Sequence, residues 1–432
     1  MKKFWIIFFG FWIMKGNLMA IEMKSLSVKG VEIPVIYEQN TQLPLFYLQL
    51  VFKGGGGVSN GKSLGLSDIT SSLLNEGTKE LGVTRFSKKL EEKALALSVG
   101  SGLETLSFTL SGMSAVQREG ISFLKELLKS PNFTQKTLEK VKENSLVSIL
   151  EKESDYDYQA SRALKSILFK GTPLEFPLSG TQDSIGKITL KEVENFYGQH
   201  INLNSLILVV GGDVEFASVA KELEKMLESL PQGKKVTLKP IVAKDSMQTK
   251  VMAKDTQQAY IYFGAPLEVR DLQKESALIK VASFVLGGGG FGSRMLEEVR
   301  VKRGLAYSAV MRLSATHTQS FAQGYLQTSL ENEKEAKRLV QEVVNEFVKN
   351  GITNKELQEA KQYLLGSEPL RNETLSQRLG AAFNCYYNGL PLDCNKQVLD
   401  EISKLTLQEV NQYIKTHQEI QKLSFAIINA EN

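Results

Sequence analysis

Only two cysteines and three histidines occur in 432 residues. Two cysteines are too few for a disulfide scaffold or a cysteine-built zinc site. His200, His317 and His417 are far apart, and no two stand at the spacing that puts a pair on one helical face. No Ser-His-Asp, Cys-His or histidine-metal constellation can be nominated from them. An excess of either charge is also missing: Lys plus Arg number 52 and Asp plus Glu 48, and Lys2, Lys3 and Lys15 all fall in the first twenty residues. The remaining chain is close to neutral, which gives no electrostatic reason to expect nucleic-acid binding. Beyond the first twenty residues no apolar run approaches the length of a membrane span. What is present, 42% hydrophobic and 23% charged residues, is globular composition with room for two or three domains.

The first twenty residues read as an export signal. Lys2 and Lys3 precede an apolar run from Phe4 to Met14, Lys15-Gly16-Asn17 breaks it, and Leu18-Met19-Ala20 offers a small residue for cleavage. The run is too short to cross about 30 Å of hydrocarbon as a helix, so an uncleaved anchor is the weaker alternative. The mature protein is expected to begin near Ile21, to be periplasmic or secreted, and to keep no integral membrane segment. In an oxidising compartment Cys385 and Cys394, flanking the turn Asn388-Gly389-Leu390-Pro391, can pair. Two buried thiols are the other reading.

The chain is written twice. Thr134 to Lys142, TQKTLEKVK, matches Thr353 to Lys361, TNKELQEAK, at an offset of 219 (353 − 134). Thr189 to His200, TLKEVENFYGQH, matches Thr406 to His417, TLQEVNQYIKTH, at 217 (406 − 189). In each segment the threonine is placed to cap a helix, and Glu192, Glu356 and Glu409 stand three residues after three of them, the spacing of a capping box. His200 and His417 fall near the helix C-termini, where the macrodipole favours them. Strand-like runs follow these helices at Leu206 to Val210 and Leu423 to Ile428. Others lie at Pro44 to Phe52, Glu104 to Ser111, Ala259 to Phe263 and Phe321 to Ser329. Helical periodicity covers Ser67 to Leu74, Val116 to Leu128, Thr134 to Glu153 and Glu333 to Val348. Strands mixed with long helices give an α+β class. The expected organisation is a signal over 1–20, a domain over 21–230, a Lys- and Pro-containing linker over 231–245, and a second domain over 246–432.

Five segments resemble the insulinase-like peptidases, the family of pitrilysin and the mitochondrial processing peptidase. Gly65 to Thr78, GLSDITSSLLNEGT, is similar to the family's zinc segment G-L-[AS]-H-x-x-E-H-[ML]-x-x-x-G-T. Phe176 to Thr181 is similar to Y-P-x-x-G-T, and Asn195 to Asp213 to its F-Y, N, V-V-x-G-D stretch. Leu286 to Ser293 is a glycine-rich loop, and Arg294 to Ser308, RMLEEVRVKRGLAYS, is close to R-L-x-x-x-V-R-x-x-x-G-L-A-Y-S. The resemblance implies two homologous domains, each a six-stranded, mostly antiparallel sheet packed against helices.

The zinc chemistry of that family is missing from the sequence. In H-x-x-E-H the two histidines share a helical face and bind one metal, and the glutamate acts as general base. Here Asp68, Ser71 and Ser72 occupy those positions. Counting back from Gly180-Thr181 puts Ser148 at the third ligand, with Glu151 one turn on. Neutral hydroxyls are poor zinc ligands, so no metal site is expected in this chain.

Arg300 and Tyr307 match the family's arginine–tyrosine pair. In two-subunit members, the resemblance implies, one subunit carries zinc and the other presents this pair to the scissile peptide. The glycine-rich loop, Gly287, Gly288, Gly289, Gly290 and Phe291, is implied to handle peptide; it lacks the Lys-Ser/Thr of a nucleotide-binding loop. The expected function is an exported, non-catalytic subunit of a heterodimeric zinc peptidase, with zinc in the partner subunit and no cofactor in this chain. The alternative is a pseudoenzyme that only binds peptides or scaffolds other proteins.

Overall fold

The computed structural model describes residues 20–430; apart from Ala20, the export signal lies outside the described residues. The first half runs β1 (Glu22–Val28), β2 (Val31–Gln39), β3 (Leu45–Lys53), α1 (Leu66–Leu74), α2 (Gly82–Glu91), β4 (Ala96–Ser101) and β5 (Thr105–Met113). It continues through α3 (Gln117–Lys129), α4 (Gln135–Ser154), α5 (Tyr156–Leu168), α6 (Gln182–Lys187), α7 (Leu190–His200), β6 (Leu206–Gly212) and α8 (Phe216–Leu227). The second half runs β7 (Ile241–Val242), β8 (Thr249–Ala253), β9 (Gln258–Pro266), α9 (Leu272–Ser283), α10 (Arg294–Leu296), β10 (Ala309–Ala315) and β11 (Gln319–Ser329). Then follow α11 (Glu333–Asn350), α12 (Asn354–Gly366), α13 (Leu375–Tyr387), α14 (Cys394–Lys404), α15 (Leu407–Thr416) and β12 (Ser424–Asn429). Among the described residues no helix is long and apolar enough to cross a membrane.

The strands form two six-stranded mixed sheets. The first has the order β1-β2-β6-β3-β5-β4; the second is β10-β11-β9-β12-β8, with the two-residue β7 added in parallel to β11. β2–β6 and β8–β12 are corresponding parallel pairs, and the other ladders of both main paths are antiparallel. Among the described residues the second sheet has no counterpart of β1. β7 falls within the segment read as a linker, so 231–245 is not a free tether. Its start is also tied down, because the Leu203 and Asn204 N–H groups donate to the Pro231 and Gln232 carbonyls. β2 was not among the expected strands. It contains Pro34, which ordinarily argues against a central strand, but the ladder to β6 begins one residue later at Val35.

The helix starts follow the threonine signals. Thr134 accepts from the Thr137 N–H, and Thr189, Thr353 and Thr406 each close a capping box. The macrodipole, however, does not explain His200. Its ring is buried against Phe196, with centroids 4.4 Å apart, and Nδ1 has no partner. Burial pushes its pKa down, so it is a neutral core residue, whereas a dipole would favour the charged form. His417 instead links two carbonyls, with Nδ1 2.7 Å from Tyr413 O and Nε2 3.0 Å from Glu268 O.

The two halves exchange a helix. Ala163, Leu164 and Leu168 of α5 pack with Ala426 of β12 in the second sheet. Leu379 and Ala382 of α13 pack on Ile36, Val51, Ile207 and Val209 of the first. Tyr156 and Leu375, where these helices begin, stand at the same 219-residue offset as Thr134 and Thr353. Each half of the sequence therefore completes the other's core, and the groove between them is lined by both. A disulfide joins Cys385 at the end of α13 to Cys394 at the start of α14, with Cα atoms 5.8 Å apart.

Candidate functional site

α1 begins at Leu66, and its first turn is held from outside. Asn60, nearly fully buried, accepts from the Ser67 N–H (2.8 Å) and donates to the Leu178 carbonyl (3.4 Å). One side chain thus ties the Gly65 segment to the Phe176–Thr181 segment. Asp68 and Ser72, four apart on α1, face Ser145, Ser148 and Lys152 of α4 across a pocket of about 290 Å³. Ser148 therefore does meet Asp68 and Ser72, as the spacing of the motifs implies. Ser71 does not: it is buried, and its hydroxyl donates back to the Asp68 carbonyl at 2.9 Å.

Lys152 is the residue that motif reasoning missed. It stands four residues after Ser148, one turn on along the same helical face. Burial raises the Asp68 pKa, and the Lys152 charge pulls it back down. An ammonium thus supplies positive charge where the resemblance would place a metal. Among the described residues no group of three or more His, Cys, Asp or Glu is arranged to hold a metal ion. The pocket's carboxylates are Asp68 and Glu76, and Glu76 is already paired with Lys140 at 2.7 Å. With serine hydroxyls, the Lys152 ammonium and no imidazole or thiolate, the lining does not fit zinc.

Arg300 and Tyr307 are brought together. Arg300 lies in a widened helical turn, Glu297–Val301. Gly304, at φ 65°, then reverses the chain, with its N–H donating to the Arg300 carbonyl (3.0 Å) and Leu305 N–H to Val299 O (2.9 Å). That reversal returns Tyr307 over the guanidinium: Arg300 Cζ is 4.3 Å from the Tyr307 ring centroid and 5.0 Å from that of Phe291. Both rings are exposed, Tyr307 at 80% and Phe291 at 74%. The pair thus lies at the surface, with two exposed rings against the arginine. Arg294, which opens the same segment, is structural, because it grips Glu356 through two N–H···O contacts of 2.6 and 2.9 Å.

The glycine run is only partly a loop. Phe284–Gly288 continues α9 as a widened helical turn. Gly287 is buried there because the chain passes Met311 so closely that a Cβ would lie 2.4 Å from its backbone nitrogen. Of the five residues expected to handle peptide, Gly290 and Phe291 are exposed, Gly288 and Gly289 are half-buried, and Gly287 is packed away.

Two cavities line up along β11. One, about 480 Å³, opens beside Tyr307 and is floored by Tyr325 and Gln327 of β11, Tyr262 of β9 and Asp157 of α5. The Tyr262 hydroxyl donates to Asp157 Oδ1 at 3.1 Å, and Gln327 binds the other carboxylate oxygen. Burial first, then the Asp157 charge, push the Tyr262 pKa up. The second cavity, about 550 Å³, includes Gln319 and Phe321 of β11 and reaches Asp68 and Lys152. Alternation along the strand puts all four β11 residues on one face.

Residues 34–182 match the family profile described as insulinase (peptidase family M16), and residues 187–364 match that of the peptidase M16 inactive domain. A Helicobacter pylori protein described as non-peptidase homolog YmxG is 45% identical over 432 residues, covering 99% of each chain. An uncharacterized zinc protease of Rickettsia felis is 23% identical over 277 residues, 63% of this chain and 65% of the other. A Pseudomonas fluorescens peptidase M16 inactive domain superposes with a TM-score of 0.86 at 24% identity, over 95% of this chain and 99% of that one. A Helicobacter pylori protease does so at 0.82 and 16%, over 95% and 100%. At these identities the two solved structures speak to fold alone.

Proposed function

The chain belongs to the insulinase-like M16 peptidase family, and we propose that it is an exported, non-catalytic subunit lending Arg300, Tyr307 and half of a peptide chamber to a zinc-bearing homologue. The observation that carries this reading is the pair itself: an exposed phenol and a guanidinium 4.3 Å from its ring, beside an open cavity. Loss of the metal ligands at Asp68, Ser72 and Ser148 and of the general base at Ser71 agrees with it, as does 45% identity to a protein described as a non-peptidase homologue.

The chemistry follows from the donors. Attack on a peptide carbonyl places negative charge on its oxygen, and donors aimed at that oxygen lower the barrier. Tyr307 offers one O–H. The Arg300 guanidinium lies over the Tyr307 and Phe291 rings and offers its N–H groups as further donors. Zinc in the partner would supply an activated water; this chain orients the carbonyl and stabilises its charge. Export is part of the proposal, supported by the signal-like start and the Cys385–Cys394 disulfide.

The test is turnover by the reconstituted pair of subunits. Tyr307→Phe removes only the hydroxyl and should lower kcat by about 10²–10³, the usual loss of one oxyanion donor. Arg300→Ala should also impair turnover, with zinc content and subunit ratio unchanged. Wild-type turnover with Tyr307→Phe would reassign the protein to peptide binding or scaffolding alone.

A further inference from the structure

The cavity of about 550 Å³ between the halves has cations at its rim and an apolar floor. On α5, Tyr158, Arg162 and Lys165 follow one another at spacings of four and three, and Phe169, four residues further at the C-cap, extends the same side but is itself buried. Tyr158, Arg162 and Lys165 form the helical stripe opposite Ala160, Ala163, Leu164 and Ile167, which are buried. Lys152 from the last turn of α4 completes the basic side. Arg162 has only a loose contact with Glu153, at 3.9 Å. Of the two carboxylates in the wall, Glu175 is taken up by the Gly171 N–H at 2.6 Å, and Asp68 is half-buried with Lys152 as its nearby charge. Phe169 and Phe321 pack edge-on at 5.2 Å to form the floor, and Phe176 is 46% exposed at the side.

We propose that this cavity seats the C-terminus of a peptide, its terminal carboxylate held by Lys152, Arg162 and Lys165 and its last side chain, a hydrophobic one, on Phe321 and Phe176, with the buried Phe169 beneath them. A C-terminal residue is the one part of a peptide that brings a carboxylate and an apolar side chain to the same place, and this wall offers partners for both. The inference rests on the peptide-chamber reading and adds to it the end of the substrate that this subunit grips. β11 then acts as a spacer. Phe321 in this cavity and Tyr325 in the one beside Tyr307 are four residues apart, about 13 Å at the usual strand rise. An extended peptide anchored by its terminus therefore passes Tyr307 several residues upstream.

The experiment uses the mature chain alone, with no partner, and fluorescence anisotropy of a labelled ten-residue peptide ending in Phe. Three forms are compared: the free acid, the C-terminal amide, and an amide carrying an internal Glu. The free acid should bind at least tenfold tighter than either amide. Lys152→Gln with Lys165→Gln should bring it down to the level of the amide and leave amide binding unchanged. Unchanged denaturation midpoints identify variants that fold. Equal binding of acid and amide overturns the proposal, as does an internal-Glu amide that matches the free acid, or no binding of the free acid at millimolar protein. Binding is read on this chain alone and turnover on the reconstituted pair, so failure here is distinct from failure of the turnover test.

Discussion

Glu38 and Arg378 are 340 positions apart in sequence and form one bidentate ion pair. Arg378 Nη2 lies 2.6 Å from Glu38 Oε1, and Nε lies 3.0 and 3.2 Å from the two carboxylate oxygens. Glu38 is 2% exposed at the end of β2, and Arg378 comes from the exchanged helix α13. The pair therefore fixes α13 on the sheet of the other half. Arg378→Met strands a buried carboxylate and should cost roughly 3–5 kcal/mol in urea unfolding. Adding Glu38→Gln should recover a large part of that loss, and a double variant as unstable as the single one would refute the assignment.

Removing the disulfide should loosen the same helix. Cys385 and Cys394 close a short loop between α13 and α14. In the chain-entropy model such a loop contributes roughly 2.5–3 kcal/mol. Cys385→Ser with Cys394→Ser should lower the thermal midpoint, and dithiothreitol should lower the wild-type midpoint to the same value while leaving the double serine variant unmoved.

His200 gives a pH dependence whose sign is fixed. Its folded pKa lies below the ordinary value near 6.5, because burial disfavours the imidazolium. The unfolded chain therefore binds more protons in this window. The contribution of His200 to stability is fully present above about pH 6.5 and is lost as the pH falls toward the folded value. Midpoints measured between pH 8 and 5 should decline, and His200→Leu should flatten part of that slope. An identical slope in the variant would assign the effect to other groups.

Restoring the metal ligands should need five changes. Asp68→His, Ser72→His and Ser148→Glu rebuild the donor set and Ser71→Glu the general base, but Lys152 lines the same pocket with a positive charge. The quadruple variant should take up zinc weakly, and adding Lys152→Ser should raise the zinc-to-protein ratio measured by elemental analysis. Equal zinc content with and without Lys152 would show that its ammonium does not oppose the metal.

The sequence by itself determined the duplication, the capped helix starts, the strands in both sheets that follow those helices, the family, and the missing imidazoles. These are local facts: a capping box needs residues three apart, and a zinc pair needs histidines four apart on one helix. It also gave the seven-residue spacing of Arg300 and Tyr307, because the reversal at Gly304 is a short-range turn. Only the tertiary structure decided which half covers which sheet. α5 and α13 carry apolar faces that fit either sheet by pattern, and their exchange is a choice between long-range packings. It also decided that Lys152 enters the pocket of Asp68 and Ser148, that His200 is neutral, and that Gly287 is core. Each of these depends on what a distant segment places opposite the residue: burial and neighbouring charge are properties of the packed chain, and periodicity along the sequence does not encode them.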